Sequence, residues 1–176
     1  MDIRRVVTGH NEQGKAVFVS DAAVAPYAPA MMPGAAFHRM WGMDAAPTFP
    51  DDGSTPAHHT YFPSVGGVRF GFFTLPPAGA PGADIADLEA ALADFESAMP
   101  GLLGHMEPDN PGMHTTDTVD FEVIISGQVV LELDDGASVT LQPGDTVVQN
   151  GTRHRWSNPG TVPALIAVFL AGAKRA

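Results

Sequence analysis

Four short β-branched runs, Val119 to Ile125, Gln128 to Leu133, Val139 to Leu141 and Thr146 to Gln149, alternate with turn signals at Ser126-Gly127, Asp134-Asp135-Gly136 and Pro143-Gly144-Asp145. Strands of about five residues, punctuated by Gly, Asp and Pro every 8 to 12 residues or so, are the pattern of an antiparallel sandwich or barrel. The stretch from Pro111 to Pro159 is therefore expected to form half of a small β-barrel, its strands paired as hairpins.

Elsewhere the pattern is looser. Ile3 to Asp21 reads as a hairpin that turns at Asn11 to Gly14. Two strands alone are marginal in water, so it is expected to extend a barrel sheet or reach to a second subunit. Ala22 to Gly34 is too proline-rich for a helix and predicts an extended cover. Phe37 to Met43 predicts a strand with Trp41 as core anchor or pocket wall, and Asp44 to Pro63 a loop. Val65 to Leu75 predicts another strand, with Val68, Phe70 and Phe72 on one face and Arg69 opposite, at the surface. Ile85, Leu88, Leu92, Phe95 and Met99 form a single helical stripe over residues 84–99, with Asp84 as N-cap and Pro100-Gly101 as the stop. That helix is expected outside the barrel. Ala164 to Leu170 is apolar throughout and expected to be buried on both faces, with a frayed tail after Gly172. No internal repeat is visible, so 1–176 reads as a single domain: 1–80 packing on the barrel, the helix, and core motifs over 111–170.

Composition narrows the partners. The formal net charge of −11, with 9 Lys and Arg against 20 Asp and Glu, argues against nucleic acid and anionic membranes, both of which need a basic footprint. A small-molecule substrate and a homodimer are the expected partners. The absence of Cys removes disulfides and thiolate chemistry. Arg4-Arg5 are not followed by an apolar leader, and no run of about 18 apolar residues occurs, so a cytoplasmic protein is expected.

The candidate chemistry lies in the barrel segment. His114, Asp120 and Gly127, followed by Gly144-Asp145, Gly151, His154 and Asn158, resemble the two motifs of the cupin superfamily, over about 60 residues from Pro111. The resemblance implies an all-β fold: a single cupin jelly-roll barrel, here with an N-terminal β extension and one peripheral helix. It also implies one divalent metal (Fe, Mn or Zn) held by two His, a Glu and a third His. This chain departs from that set. Thr116 stands at the second His position, Asp120 replaces Glu, and Gln149 falls where the family often has Pro.

On one strand face, residues of equal parity point the same way. His114, Thr116 and Asp120 can thus point into the barrel, with His154 arriving from a neighbouring strand. The expected metal ligands are His114, Asp120 and His154, with Glu122 an alternative carboxylate of the same parity as Asp120. Without metal, His154 or His114 oriented by Asp120 would serve as general base. The residues expected to face substrate are Thr116, Glu122, Gln149 and Trp156; Trp156 alternates with His154 and Asn158 and suits either stacking or core packing. Of the other histidines, His10 is expected in solvent, one of His58 and His59 at the pocket mouth, and His105 near the pocket. Two classes of function follow. One is an enzyme performing oxygenase, isomerase or lyase chemistry on a small, possibly aromatic molecule; the other is a binding module without chemistry.

Overall fold

The computed structural model describes residues 2–176. In chain order the elements are β1 (Ile3–His10), β2 (Ala16–Val24), β3 (Ala36–Met43), β4 (Val68–Leu75), α1 (Leu88–Ala98), β5 (Thr118–Ser126), β6 (Val129–Glu132), β7 (Ser138–Leu141), β8 (Thr146–Asn150), β9 (Arg155–Ser157) and β10 (Ala164–Gly172). The fold is all-β apart from α1. A five-stranded sheet in the order β3-β4-β10-β5-β8 and a three-stranded sheet in the order β7-β6-β9 share one apolar core. Ile124, Val129, Leu131, Leu141, Ala164 and Ile166 are buried there, with Phe73, Leu75, Val147 and Trp156 packed against them. Among the described residues no helix is long and apolar enough to cross a membrane.

The turn residues act as the sequence predicts. β6 and β7 form a hairpin around residues 134–136. At Gly144 the backbone is left-handed (φ 93°), and the Asp145 carboxylate accepts from the Gln142 amide at 2.8 Å. Gly127 marks the corner where the chain leaves β5 in one sheet for β6 in the other. Its φ is 78°, and a Cβ there would lie 2.7 Å from the Cα of Ala164, so only glycine lets the two backbones pass.

β5 shows how the site is supplied. Its buried side is Thr118, Asp120, Glu122 and Ile124, while Phe121, Val123 and Ile125 are exposed. The usual alternation of apolar inside and polar outside is reversed over most of this strand. Polar groups are thereby delivered to the interior.

Several expectations change. The β1–β2 hairpin extends neither barrel sheet and forms a separate two-stranded sheet. It is held by Arg5, which donates to the Met40 carbonyl at 2.8 Å and lies over the Trp41 ring, and by His10, half-buried against the Asp51 carbonyl instead of free in solvent. α1 begins later than the stripe suggests, because Asp87, not Asp84, caps it by accepting from the Ala90 amide. Phe95 and Met99 are fully buried, but Leu88 and Leu92 stay exposed. Phe169 on β10 is 39% exposed, so that strand is not covered on both faces. The C-terminal tail is tied down: Arg175 pairs with Asp117 and donates to the Thr116 and Gly151 carbonyls.

Arg69 is the largest reversal. It is 6% exposed, ion-paired to Asp44 at 2.6 Å, and donates to the carbonyls of Thr60, Met43 and Val68. On β4 it points inward while Phe70 is 40% exposed. The guanidinium thereby ties the 44–60 loop, through Asp44 and the Thr60 carbonyl, to the ends of β3 and β4 at Met43 and Val68. Arg69→Met is expected to cost roughly 2–4 kcal/mol, since the loop loses its donors and Asp44 its partner. Urea unfolding monitored by tryptophan fluorescence would measure it.

Candidate functional site

Between the two sheets lies a cavity of about 170 Å³. His114, His154 and Trp156 line it from the side of the three-stranded sheet, and Asp120 and Glu122 line it from β5. Phe37, Phe62, Phe73, Leu75 and Leu170 supply apolar wall.

The two histidines are placed by backbone pairing. Each donates its amide to the other's carbonyl at 2.9 Å, an isolated antiparallel bridge that brings their ring centroids to 4.1 Å. His114 Nδ1 lies 3.0 Å from the Gly112 carbonyl and His154 Nδ1 2.9 Å from the Thr152 carbonyl. A carbonyl only accepts, so both Nδ1 atoms carry the proton, and each neutral ring keeps its lone pair on Nε2. Burial pushes the His114 pKa down and that of His154 to about 4, the latter helped by neighbouring His114. Ring-nitrogen NMR is expected to show the Nδ1–H tautomer in both and to find His154 still uncharged at pH 6, where a solvent-exposed imidazole is largely protonated.

Asp120 and Glu122 are 3% and 4% exposed. Asp120 Oδ1 and Glu122 Oε2 have no hydrogen-bond partner among the described residues. Desolvation raises the Asp120 pKa to about 6, partly offset by the Thr118 hydroxyl, and raises that of Glu122 to about 8 with the Asp120 charge adding to it. Burial thus holds both carboxyls above the usual carboxylate range, Glu122 further than Asp120, side by side on one strand face.

Other expected site residues fall elsewhere. Thr116 is buried with its hydroxyl 2.8 Å from that of Thr118 and does not line the cavity, because β5 begins two residues later and the chain bends before it. Gln149 does not line the cavity. Its amide donates to the Thr152 carbonyl and hydroxyl, and that same carbonyl fixes the His154 tautomer, so Gln149 orients the histidine through one intermediary. Asn158 donates to the Leu75 and Val162 carbonyls, locking the loop before β10. Trp156 both lines the cavity and packs edge-on to His154, ring centroids 6.3 Å apart. The general-base pair expected from sequence is not formed: the histidines are oriented by carbonyls, not by Asp120.

A metal trio is not assembled either. The donor types suit a divalent ion, but among the described residues no three His, Asp or Glu side chains are gathered so as to hold one. His114 and His154 adjoin, while Asp120 belongs to the other sheet, and Thr116 cannot substitute for a third imidazole. His105 is turned away onto the Thr115 carbonyl and the Phe62 ring. His58 pairs with Arg39 at 2.8 Å in a smaller neighbouring cavity, and His59 is exposed. Sequence reasoning missed Tyr61, which lines both cavities and whose phenol burial pushes well up; nothing in its loop pattern signals that position.

Of the motif residues, His114, Asp120 and His154 thus meet at one cavity, and residues 103–170 match the model of the family described as "Cupin domain". Residues 103–170 are a cupin domain. Within the cupin segment, the chain is 41% identical over 61 residues to Oryzines biosynthesis cluster protein J of Aspergillus oryzae, covering 35% of this chain and 34% of that protein. It is 34% identical over 65 residues to the cupin-domain-containing oxidoreductase virC of Hypocrea virens, again covering 35% and 34%. The matched cupin segment thus spans about a third of these relatives' length. Among solved structures, an RmlC-like cupin family protein with a double-stranded β-helix fold from Methanocaldococcus jannaschii superposes with a TM-score of 0.39 at 15% identity, over 62% of this chain and 73% of that one.

Proposed function

We propose that this cupin is a small-molecule enzyme that moves a proton within an uncharged substrate, an isomerase or lyase type of reaction. The observation that carries this reading is the pair of buried carboxyl groups, Asp120 and Glu122, which line an apolar cavity and each keep one oxygen buried without a hydrogen-bond partner. Groups buried unpaired cost stability, and two carboxyls with separated pKa values are the arrangement of an acid and a base. Asp120, ionised at neutral pH, accepts a proton from the substrate; Glu122, protonated, delivers one to another atom. The proton gained by Asp120 then returns to Glu122, its neighbour on the same face, which restores both groups. His114 and His154 orient the substrate by accepting hydrogen bonds at Nε2.

The test is deuterium exchange. The purified chain, incubated in deuterium oxide with a panel of enolisable ketones and phenols, is expected to introduce deuterium at carbon, read by mass spectrometry, with Asp120→Asn slowing the exchange by about 100-fold. Retention of a ligand without exchange would favour a binding module. The names of the relatives favour a second reading, an oxidoreductase. Oxygen uptake restored by added iron, without deuterium exchange, would select it.

A further inference from the structure

We propose that the cavity is selective for an uncharged or cationic ligand with a ring-sized apolar body and at least two hydrogen-bond donors, and that it rejects carboxylates and phosphates. This rests on the cavity being the functional site, as argued above, but not on the proton-transfer chemistry. Four polar side chains that line the cavity, His114, His154, Asp120 and Glu122, offer acceptors, beside Tyr61, Thr74 and Trp156, which carry donors. Both imidazoles spend their only proton on a main-chain carbonyl, so each offers a lone pair. Asp120 and Glu122 line the same cavity, and each keeps one oxygen buried without a hydrogen-bond partner. Donors on a ligand would satisfy these groups.

Among the described residues no Lys or Arg lines the cavity. The two arginines on the neighbouring strands β3 and β4 are already engaged: Arg39 with the Ala98 carbonyl and His58, Arg69 with Asp44 and three carbonyls. An anionic ligand would thus find no counter-charge and would stand beside two carboxyl groups, at a desolvation cost nothing offsets. The size is set by the same walls: about 170 Å³ is close to the roughly 150 Å³ cavity that accommodates benzene, and Phe37, Phe73 and Trp156 provide aromatic faces.

Three probes of one ring size test this by isothermal titration calorimetry on the full chain at neutral pH: catechol with two donors, 1,2-dimethoxybenzene with none, and benzoate with a negative charge. Catechol is expected to bind at least about tenfold more tightly than either of the others, and that margin should shrink in Asp120→Asn and Glu122→Gln. Equal or tighter binding of benzoate or dimethoxybenzene, or no binding of catechol, would overturn the proposal. A catechol preference without any deuterium exchange would retain this ligand class while removing the proton-transfer reading.

Discussion

Replacing Glu122 by Gln is expected to leave stability near pH 5 almost unchanged and to raise it at pH 9 by on the order of a few kcal/mol. The side chain is held 4% exposed, with its pKa raised from 4.5 to about 8 by burial and the Asp120 charge. A carboxyl whose folded pKa exceeds its unfolded one keeps its proton when folded while the unfolded chain has lost it. Stability therefore falls as pH rises from about 4.5 through 8, and the loss is complete above that. Asp120, raised from 3.8 to about 6, adds a smaller fall in the lower part of the same range. His154 acts in the opposite sense. Its pKa is lowered from 6.5 to about 4, so stability rises with pH across that interval. The natural chain should be most stable in mildly acidic solution, and Glu122→Gln should flatten the alkaline side. Thermal melts from pH 4 to 9 on both proteins check it; parallel curves above pH 6 would mean that Glu122 is not held protonated in the fold.

Gly127→Ala should be the most damaging single methyl on the chain's sheet-to-sheet corner, with an expected loss of about 3 kcal/mol or more. Two costs add. The backbone sits at φ 78°, which an L side chain adopts only with strain, and the new Cβ would meet the Ala164 Cα at 2.7 Å and its Cβ at 2.8 Å. Ala164 is fully buried in the core and cannot retreat without opening it. Against a typical domain stability of about 5–15 kcal/mol this is a large fraction. Gly14→Ala is the control: its φ is similar at 72°, but nothing lies within 4 Å of the added atom, so only the conformational part, about 1 kcal/mol, should appear. Urea denaturation of the two variants separates steric from conformational cost.

Much of this protein was legible in one dimension because the signals are local. A β-branched run ended by Ser-Gly or Pro-Gly-Asp states its own strand and turn, and the turns at Gly127, Gly136 and Gly144 stand where the pattern puts them, all with positive φ. The hairpin turn at Asn11 to Gly14 is equally local, with the Asn11 side chain accepting two amides inside it. The motif residues His114, Asp120 and His154 were likewise visible, as was Glu122 as a second carboxylate of the same parity.

What each of those side chains does was decided elsewhere. Parity fixes which residues share a face of a strand, but whether that face looks inward depends on what packs on it. Thus Arg69 is interior and Phe70 exterior, against the ordinary preference of both. Hydrogen-bond partners from distant residues settled the site: carbonyls of Gly112 and Thr152 took the histidine protons, and Thr152 took Gln149 as well, which left Asp120 and Glu122 facing the cavity without partners. The strands, the turns and the identity of the polar residues that enter the barrel follow from the chain alone, because those depend on backbone conformation and short-range alternation. Which of them meet, which are already satisfied and which remain open to a ligand follow from packing, because desolvation and hydrogen bonding are properties of the folded interior rather than of the chain.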